Sequence, residues 1–257
     1  MSATLQEMER AREAAAGGAG KPEYVREIFS SIAPRYDLLN HLLSFNIDRL
    51  WRTRAIEALE WRRKPAATYV DLCAGTLDVA AAIVRRAGFA GLVIGADFAE
   101  PMLRAGRSKG DVDSHAGSGE VAPVAADALR LPLPDRSAAG AIVAFGIRNL
   151  ADLDAGLREV HRVLETGARF VILEFSTPAS RAVRAVYHAY FHHVLPRVGE
   201  LISGHPTAYR YLPESVARFP IGDELALRLS AAGFANVHWR TLTFGVAAIH
   251  VGEKPVS

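Results

Sequence analysis

The chain has a single cysteine, Cys73, among its 257 residues. An intramolecular disulfide is therefore excluded, and so is a cysteine-ligated structural zinc site, which requires at least two cysteines. Long apolar runs are also missing. The longest small or apolar stretch, residues 138–147, is much shorter than the ~20 residues that a membrane-spanning helix requires.

Neither sign of charge is in large excess. The 30 Lys and Arg residues balance 28 Asp and Glu residues, which leaves a net charge of +2. This balance provides no strong electrostatic attraction to nucleic acid, and we expect no nucleic-acid partner. Half of the residues are hydrophobic and 23% are charged, which is typical of a folded chain with a sizeable core. The first residues carry no apolar segment of signal-peptide type, so we expect a cytoplasmic protein.

Apolar runs alternate with amphipathic stretches through the middle of the chain. The runs predict five strands, at residues 68–72, 92–97, 121–126, 139–145 and 170–173. Helices are predicted near Asp78, from about Glu100 to Ser108 and from Asp152 to Leu164. This alternation predicts a parallel sheet with helices on both faces, in which the strands are buried on both sides.

The two ends of the chain follow a different pattern. Residues 1–22 predict a disordered or helical tail, and residues 24–59 are mostly helical by their apolar spacing. After Glu174 the sequence predicts a helix over 181–194, a loop, a helix over 222–232, and strands at 236–242 and 247–252. We therefore expect one domain over 23–257, with a helical lid inserted at about 176–220.

The first predicted strand–loop–helix unit is typical of a nucleoside-binding site. Asp71 ends the strand, Gly75 permits a tight turn, and Asp97 follows Gly75 by 22 residues at the end of the next strand. That spacing suits a carboxylate that accepts hydrogen bonds from a ribose diol. The loop lacks the three glycines of a pyrophosphate site, and Leu77 would crowd a pyrophosphate. S-adenosylmethionine has a ribose but no phosphate, so it fits better than a dinucleotide.

Each of these residues also has a purely structural interpretation. Gly75 alone is explained as a turn glycine, and Asp97 alone as a cap of the following helix. Their combination at this spacing favours the binding site. Asp127 ends the third predicted strand, where it can meet the amino group of an adenine, although a loop or capping role explains it equally well.

Three groups of segments resemble the ubiquinone/menaquinone biosynthesis C-methyltransferase family, of the demethylmenaquinone methyltransferase type. They are RYDLLN at 35–40 with LSF at 43–45 and RLW at 49–51, FGIRN at 145–149 with EVHRVL at 159–164, and VLPR at 194–197 with YRYL at 209–212 and ES at 214–215. The resemblance runs from about Tyr24 to Glu253.

The resemblance implies a class I S-adenosylmethionine-dependent methyltransferase fold, Rossmann-like, with a mostly parallel seven-stranded sheet, a helical N-terminal region and a helical lid. It implies methylation of a ring carbon of a polyprenylated quinol, either demethylmenaquinol or the 2-methoxy-6-polyprenyl-1,4-benzoquinol precursor of ubiquinone. The expected cofactor-binding residues are Asp71, Gly75, Thr76, Asp97, Phe98, Asp127, Ala128 and Ala144. The sequence departs from the family pattern at two places: the first loop reads AGTLD at 74–78, where the family usually has GGTGD, and Ala144 replaces a frequent serine.

Arg148 and Asn149 are the expected catalytic residues, because they follow the fourth strand at the mouth of the sheet. A quinol carbon becomes nucleophilic when a neighbouring hydroxyl loses its proton, so the site must stabilise a phenolate and assist proton removal. Arg148 suits the first role, and Asn149 can orient a quinol oxygen. The alternative for Arg148 is a salt bridge to Asp152 or Asp154.

Aromatic and histidine side chains are the candidates for the substrate pocket. The expected substrate-contacting residues are Tyr36, Asp37, His193, Tyr209 and Tyr211. His188 and His192 share a helix face, but no glutamate follows His188 as in a zinc-binding H-E-x-x-H motif, and we expect no metal.

Other functions stay open at this point. A methyltransferase of the same fold acting on another aromatic or secondary metabolite is one alternative, and a non-catalytic scaffold in quinone biosynthesis is another. A nucleic-acid N-methyltransferase is disfavoured, because FGIRN at 145–149 is not an Asn/Asp-Pro-Pro-aromatic motif. A homo-oligomer and a transient, peripheral contact with the inner membrane face are further open possibilities.

Overall fold

The computed structural model describes residues 3–18, 20–33, 42, 44–110, 119–194, 208–220 and 222–256. Tyr36 and Asp37 lie outside the described residues. Seven strands form one sheet: β1 (Thr68–Leu72), β2 (Leu92–Asp97), β3 (Glu120–Ala125), β4 (Ala138–Ala144), β5 (Leu164–Phe175), β6 (Ala235–Leu242) and β7 (Ala247–Glu253).

The strands lie in the order β3-β2-β1-β4-β5-β7-β6. Strands β1 to β5 are parallel, whereas β7 runs antiparallel to both β5 and β6. Val70, in the central strand, pairs with Ile94 of β2 on one side and Ala141 of β4 on the other. The chain order therefore reverses between β1 and β4, and ligands of such sheets bind at the carboxyl ends of the strands beside this reversal.

Nine α-helices lie within the described residues. They are α1 (Ala3–Ala15), α2 (Lys21–Ile32), α3 (Ile47–Ala58), α4 (Asp78–Val84), α5 (Glu100–Gly110), α6 (Leu153–Val163), α7 (Arg181–Ala189), α8 (Ala208–Arg218) and α9 (Asp223–Ala231). A π-helical turn, Tyr190–Val194, extends α7, and 3-10 turns occur at Trp61–Arg63, Ile147–Asn149 and Thr243–Gly245. No helix in these parts of the chain is long and apolar enough to cross a membrane.

The sheet is buried on both faces, as the apolar runs predict. Alternate residues of β4 point to opposite sides: Ile142 packs with α3 and α4, and Val143 packs with α6 and α9. Both side chains have no exposed surface. Full burial of a side chain of this size contributes about 1.5–3 kcal/mol relative to leaving it in water, so the two helical layers hold the sheet rigid beneath the site.

A third cluster joins the N-terminal helices to the segments after β5. Ala11 and Ala14 of α1 and Val25 of α2 are buried against Tyr187 of α7 and Tyr211 of α8. The first residues, predicted as a tail, thus include a helix that contributes to packing. The predicted lid lies partly outside the described residues, since 195–207 are among those not described.

Three details differ from the sequence-based expectations. Tyr209 and Tyr211 lie in helix α8 rather than in a loop, and the helix predicted over 181–194 gives way to the π-helical turn. The fifth strand is longer than predicted, because its pairing with β7 extends from Arg169 to Phe175 and its first residue, Leu164, pairs with Ala138 of β4. Gly167, inside β5, has a φ of 76°. It interrupts the apolar run, so the sequence pattern did not indicate that the strand begins before Phe170.

Candidate functional site

A cavity of about 390 Å³ opens at the carboxyl ends of β1 to β4, beside the reversal of the strand order. Six of the residues predicted to bind the cofactor line it: Gly75, Asp97, Phe98, Asp127, Ala128 and Ala144. Pro22, Arg26 and Phe29 of α2 form its N-terminal side. We call this space the first cavity. These α2 residues were not predicted as site residues, because no sequence motif marks a helix that approaches the sheet only through tertiary packing.

Asp97 fixes the floor of the first cavity. One carboxylate oxygen accepts a hydrogen bond from the Gly75 backbone N–H at 2.8 Å, and the other accepts one from the Ala99 N–H at 2.8 Å. Burial raises the pKa of Asp97, and the backbone hydrogen bonds oppose that rise. Each carboxylate oxygen has a second lone pair, so Asp97 can still accept hydrogen bonds from the two hydroxyls of a ribose.

The loop after β1 is built from left-handed backbone conformations. Cys73, Gly75 and Leu77 have φ angles of 53°, 52° and 63°. The side chain of Leu77 is completely buried, and a Cβ added to Gly95 would meet its Cδ2 atom at 2.4 Å. Leu77 thus points into the core against β2 and is not a wall of the first cavity, so this departure from the family pattern does not crowd the cavity.

Asp71 and Thr76 lie behind the cavity rather than in its wall. Asp71 is buried, and one carboxylate oxygen accepts a hydrogen bond from the Ala80 N–H at 3.0 Å, in the first turn of α4. Burial raises the pKa of Asp71 to about 7. The Thr76 hydroxyl accepts a hydrogen bond from Lys109 Nζ at 3.1 Å. Both residues hold the loop in place, and their predicted contact with a cofactor stays a prediction.

A second cavity, of about 370 Å³, lies under the N-terminal helices and is mostly apolar. Aromatic rings dominate its walls: Phe29, Phe45, Trp51, Phe145, Phe175, Tyr187, Tyr190, Phe191 and Tyr211. Phe29 and Phe145 line both cavities. Phe145 has a φ of 61°, a strained conformation for a bulky residue, and such strain is concentrated at functional sites. The two cavities are therefore neighbours that share two aromatic walls.

Arg148 lies in the wall of the second cavity and forms a buried ion pair with Glu174. The Nη1 atom lies 2.8 Å from Glu174 Oε1, and the two side chains are only 7% and 3% exposed. The same nitrogen donates to the Phe145 carbonyl oxygen, and the guanidinium carbon lies 5.7 Å from the centre of the Phe175 ring. These contacts hold the Arg148 guanidinium in one position beside the aromatic rings of the second cavity.

The alternative partners suggested for Arg148 are wrong. The Asp152 carboxylate caps α6 by accepting from the Ala155 N–H at 2.9 Å, and Asp154 pairs with Arg228 at 3.1 Å. Glu174 was not predicted as a site residue, although its carboxylate follows an apolar strand in the sequence, as those of Asp71 and Asp97 do.

Glu174 is a strongly perturbed carboxyl. Its Oε1 atom accepts from the Phe175 N–H at 2.9 Å, and its Oε2 atom has no hydrogen-bond partner among the described residues. Burial raises the pKa of Glu174, and the positive charge of Arg148 opposes that rise. The Arg148 guanidinium therefore stabilises the ionised form of the buried Glu174 carboxylate.

Asn149 faces the other cavity. It lines the first cavity, and its side-chain oxygen accepts a hydrogen bond from the Tyr211 hydroxyl at 3.2 Å. Lys21 of α2 donates to the carbonyl oxygens of Arg148 and Leu150 at 2.9 and 2.7 Å. The 3-10 turn thus divides two adjacent side chains between the two cavities, and α2 holds that turn in place.

The other residues predicted to contact the substrate lie in different places in the structure. Tyr211 lines the second cavity, and burial raises its pKa to about 12. His193 is exposed at the end of the π-helical turn and is not among the described walls of either cavity, and its contact with the substrate stays a prediction. The Tyr209 side chain lies outside the described ones. Within the described residues, no group of three or more His, Cys, Asp or Glu side chains could hold a metal ion.

Two curated relatives cover most of the chain. It is 51% identical over 229 residues to "Demethylmenaquinone methyltransferase" of Thermus thermophilus, covering 89% of this chain and 100% of the relative. It is 44% identical over 236 residues to "Ubiquinone/menaquinone biosynthesis C-methyltransferase UbiE" of Geobacter sulfurreducens, covering 91% and 90%.

Solved structures show the same fold at low identity. A SAM-dependent methyltransferase of Thermotoga maritima, described as a possible histamine N-methyltransferase, superposes with a TM-score of 0.58 at 18% identity, covering 89% of this chain and 98% of its own. The ubiE/COQ5 methyltransferase family matches residues 18–254. The predicted fold, class of enzyme and S-adenosylmethionine cofactor are confirmed, and the chain belongs to the ubiE/COQ5 methyltransferase family.

Proposed function

We propose that the enzyme transfers the methyl group of S-adenosylmethionine to a ring carbon of a polyprenylated quinol, with demethylmenaquinol as the first candidate and the methoxy-benzoquinol as the second. The observation that carries this proposal is the pair of adjoining cavities, one with polar strand-end groups and one lined by aromatic rings. The names of the relatives, demethylmenaquinone methyltransferase and UbiE, support the same substrate class.

The first cavity suits the cofactor, which supplies a methyl group on a positively charged sulfur. Asp97 would accept hydrogen bonds from the ribose hydroxyls, and Asp127, an exposed carboxylate in the wall, would face the adenine. Gly75, without a side chain, would permit close approach of the backbone. Ala144 presents only a methyl group to this space, so it contributes contact but no hydrogen bond.

The second cavity suits the quinol ring. Its aromatic walls exclude water, and Arg148 would donate a hydrogen bond to a quinol oxygen and stabilise the phenolate that activates the neighbouring carbon. Glu174 would hold the guanidinium in that position. Phe29 and Phe145, which line both cavities, would then flank the line along which the ring carbon approaches the methyl group.

The mouth of the second cavity supports a contact with a lipid surface. Two of the cavity-lining side chains, Phe45 and Val186, are 74% and 71% exposed. A polyprenyl tail is insoluble in water, so we propose that it leaves the cavity past these residues into the bilayer. Arg181 and Arg184 lie on the same helix as Val186, and basic residues near a surface with anionic lipids add ~1 kcal/mol each.

Vesicle flotation tests this contact with a matched control. Val186→Ser should reduce binding to vesicles containing anionic lipid, whereas Leu227→Ser, which changes a residue that is also 71% exposed but lies on α9, should bind as the unaltered enzyme does. Equal losses for the two variants, or no loss for either, would contradict the proposed orientation.

The predicted lid has a separate test by hydrogen exchange. Protection across α7, Arg181–Ala189, should rise when a tailed quinol analogue and S-adenosylhomocysteine are both added. Protection that rises only in 68–97 would place the quinol elsewhere.

The substrate itself is tested by turnover on a set of reduced acceptors with short prenyl tails. The purified enzyme should methylate demethylmenaquinol or 2-methoxy-6-prenyl-1,4-benzoquinol, and it should not methylate the corresponding oxidised quinones, whose ring carbons are not nucleophilic. Turnover of an unrelated phenol only would favour another aromatic substrate. Cofactor binding without turnover of any acceptor would favour a scaffold.

A further inference from the structure

Methylation of a quinol carbon requires a group that accepts the hydroxyl proton, and the residues assigned so far do not provide one. Arg148 is a permanent cation and cannot accept a proton. Burial raises the pKa values of Tyr187 and Tyr211, so these phenols stay protonated. Glu174 contacts Arg148 but is not among the described walls of the second cavity.

One carboxylate occurs among the described residues that line the second cavity, and it is Asp48. It lies in the first turn of α3, and its side chain is only 5% exposed. A buried carboxylate in the wall of a mostly apolar, ring-lined cavity is costly to desolvate and is retained only with polar or charged partners.

The contacts of Asp48 hold its carboxylate in one orientation. The Ser44 hydroxyl donates to Oδ1 at 2.6 Å, and the Nε atom of Arg52 lies 3.6 Å from Oδ2. Ser44 and Arg52 also line the cavity. Asp48 therefore lies in the cavity wall beside two polar neighbours that line the same space.

Arg52 is itself fixed from the other side. Its Nη1 atom lies 2.6 Å from one oxygen of Asp78, and Lys109 Nζ lies 2.6 Å from the other. Asp78 begins α4, directly after the loop that borders the first cavity. A chain of ion pairs therefore connects Asp48 to the loop that is proposed to hold the cofactor. These ion pairs hold the Asp48 carboxylate in place.

We propose that Asp48 is the general base of the reaction; this assignment rests on the proposed quinol substrate. The Asp48 carboxylate accepts the proton of the hydroxyl next to the reacting carbon. The phenolate carbon forms a bond to the methyl carbon, the bond from methyl to sulfur breaks, and its electron pair stays on sulfur. The ring C–H proton leaves to solvent and restores aromaticity, and the oxygen regains its proton from Asp48. One proton is released per methyl transferred.

The decisive experiment compares Asp48→Asn with the unaltered enzyme on quinols whose hydroxyl pKa is lowered stepwise by ring fluorination. A positioned general base contributes about 10²–10⁴-fold, so kcat should fall at least about 100-fold on the unsubstituted quinol. The defect should shrink steadily as the hydroxyl becomes more acidic. A defect of constant size across the series, or a loss of less than twofold, would overturn the assignment.

Three controls separate this role from a structural one. The Kd of S-adenosylhomocysteine, measured by calorimetry, should be unchanged in Asp48→Asn, and Asp48→Glu should recover part of kcat. Asp154→Asn, an identical change at the pair with Arg228, should leave kcat unchanged. If Asp48→Asn does not fold, Ser44→Ala replaces it: loss of the hydroxyl that orients the carboxylate should lower kcat more on the unsubstituted quinol than on the fluorinated quinols, and an equal loss on both would refute the proposal.

If the unaltered enzyme methylates no quinol at all, the proposed function fails, and the role of Asp48 fails with it. Turnover by the unaltered enzyme that persists in Asp48→Asn defeats only the assignment of the base.

Discussion

Removal of the Arg148 side chain provides the sharpest test of the buried ion pair. Arg148→Ala leaves the Glu174 carboxylate buried, with one oxygen already lacking a partner among the described residues. Loss of one member of a buried ion pair costs about 3–5 kcal/mol of unfolding free energy. At about 2–4 °C per kcal/mol for a domain of this size, the Tm should fall by roughly 6–20 °C.

The loss should depend on pH. Burial already raises the pKa of Glu174 and Arg148 opposes the rise, so the variant's Glu174 has a folded-state pKa still further above the unfolded-state value. The folded variant then binds more protons than the unfolded chain, and its stability falls as pH rises between the two pKa values. The difference in Tm between the two proteins should therefore be smaller near pH 5 than near pH 8.

A double variant separates stability from catalysis. Arg148→Met with Glu174→Gln removes both charges while keeping the volume, so most of the lost stability should return. Turnover should stay low, because the guanidinium that we propose to contact the quinol oxygen is still missing. Scanning calorimetry and turnover per folded molecule measure the two effects. Recovery of both together would show that the pair is only structural, and a Tm of Arg148→Ala within about 2 °C of the original would refute the strength assigned to the pair.

Three further predictions follow from the site and the core. Asp97→Ala should weaken S-adenosylmethionine binding at least tenfold in calorimetry, since a charge-assisted hydrogen bond is worth about 1.5–3 kcal/mol; unchanged affinity would remove Asp97 from the cofactor site. Gly95→Ala should destabilise the enzyme because the new Cβ would meet Leu77 Cδ2 at 2.4 Å, whereas urea unfolding of Gly95→Ala with Leu77→Gly should show less loss than the sum of the single variants. Burial lowers the pKa of His250 to about 4, so its contribution to stability should be present above pH 6.5 and lost as pH falls toward 4. His250→Gln should remove that component from urea unfolding curves, and identical pH dependence in both proteins would contradict the assignment.

The centre of the sheet was predictable from the sequence because β1, β2 and β4 are largely buried on both faces. Apolar runs such as the one ending at Asp97 are therefore unambiguous, and the spacing of Gly75 and Asp97 corresponds to a hydrogen bond of 2.8 Å. The mostly parallel seven-stranded sheet followed from the resemblance, and the two late strands from the loss of alternation after Glu174. The strand order and the antiparallel direction of β7 were not predicted.

The partners in the second cavity were not predictable in the same way. Arg148 and Glu174 are 26 residues apart and meet only because β4 and β5 pair side by side. Asp48 reaches the same cavity through helix packing, which no local pattern encodes. The π-helical turn that holds His193 was not predictable either, since the sequence pattern indicated a regular helix over 181–194.

The most direct test of the central claim is the position of the transferred methyl group. The enzyme is supplied with S-adenosylmethionine carrying a ¹³C-labelled methyl group and with short-chain demethylmenaquinol kept reduced, and the product is analysed by NMR. We expect a labelled methyl group bonded to a ring carbon of the product, with its NMR signal in the aryl-methyl region. A labelled methoxy signal would show transfer to oxygen and would contradict both the quinol orientation and the role of the phenolate.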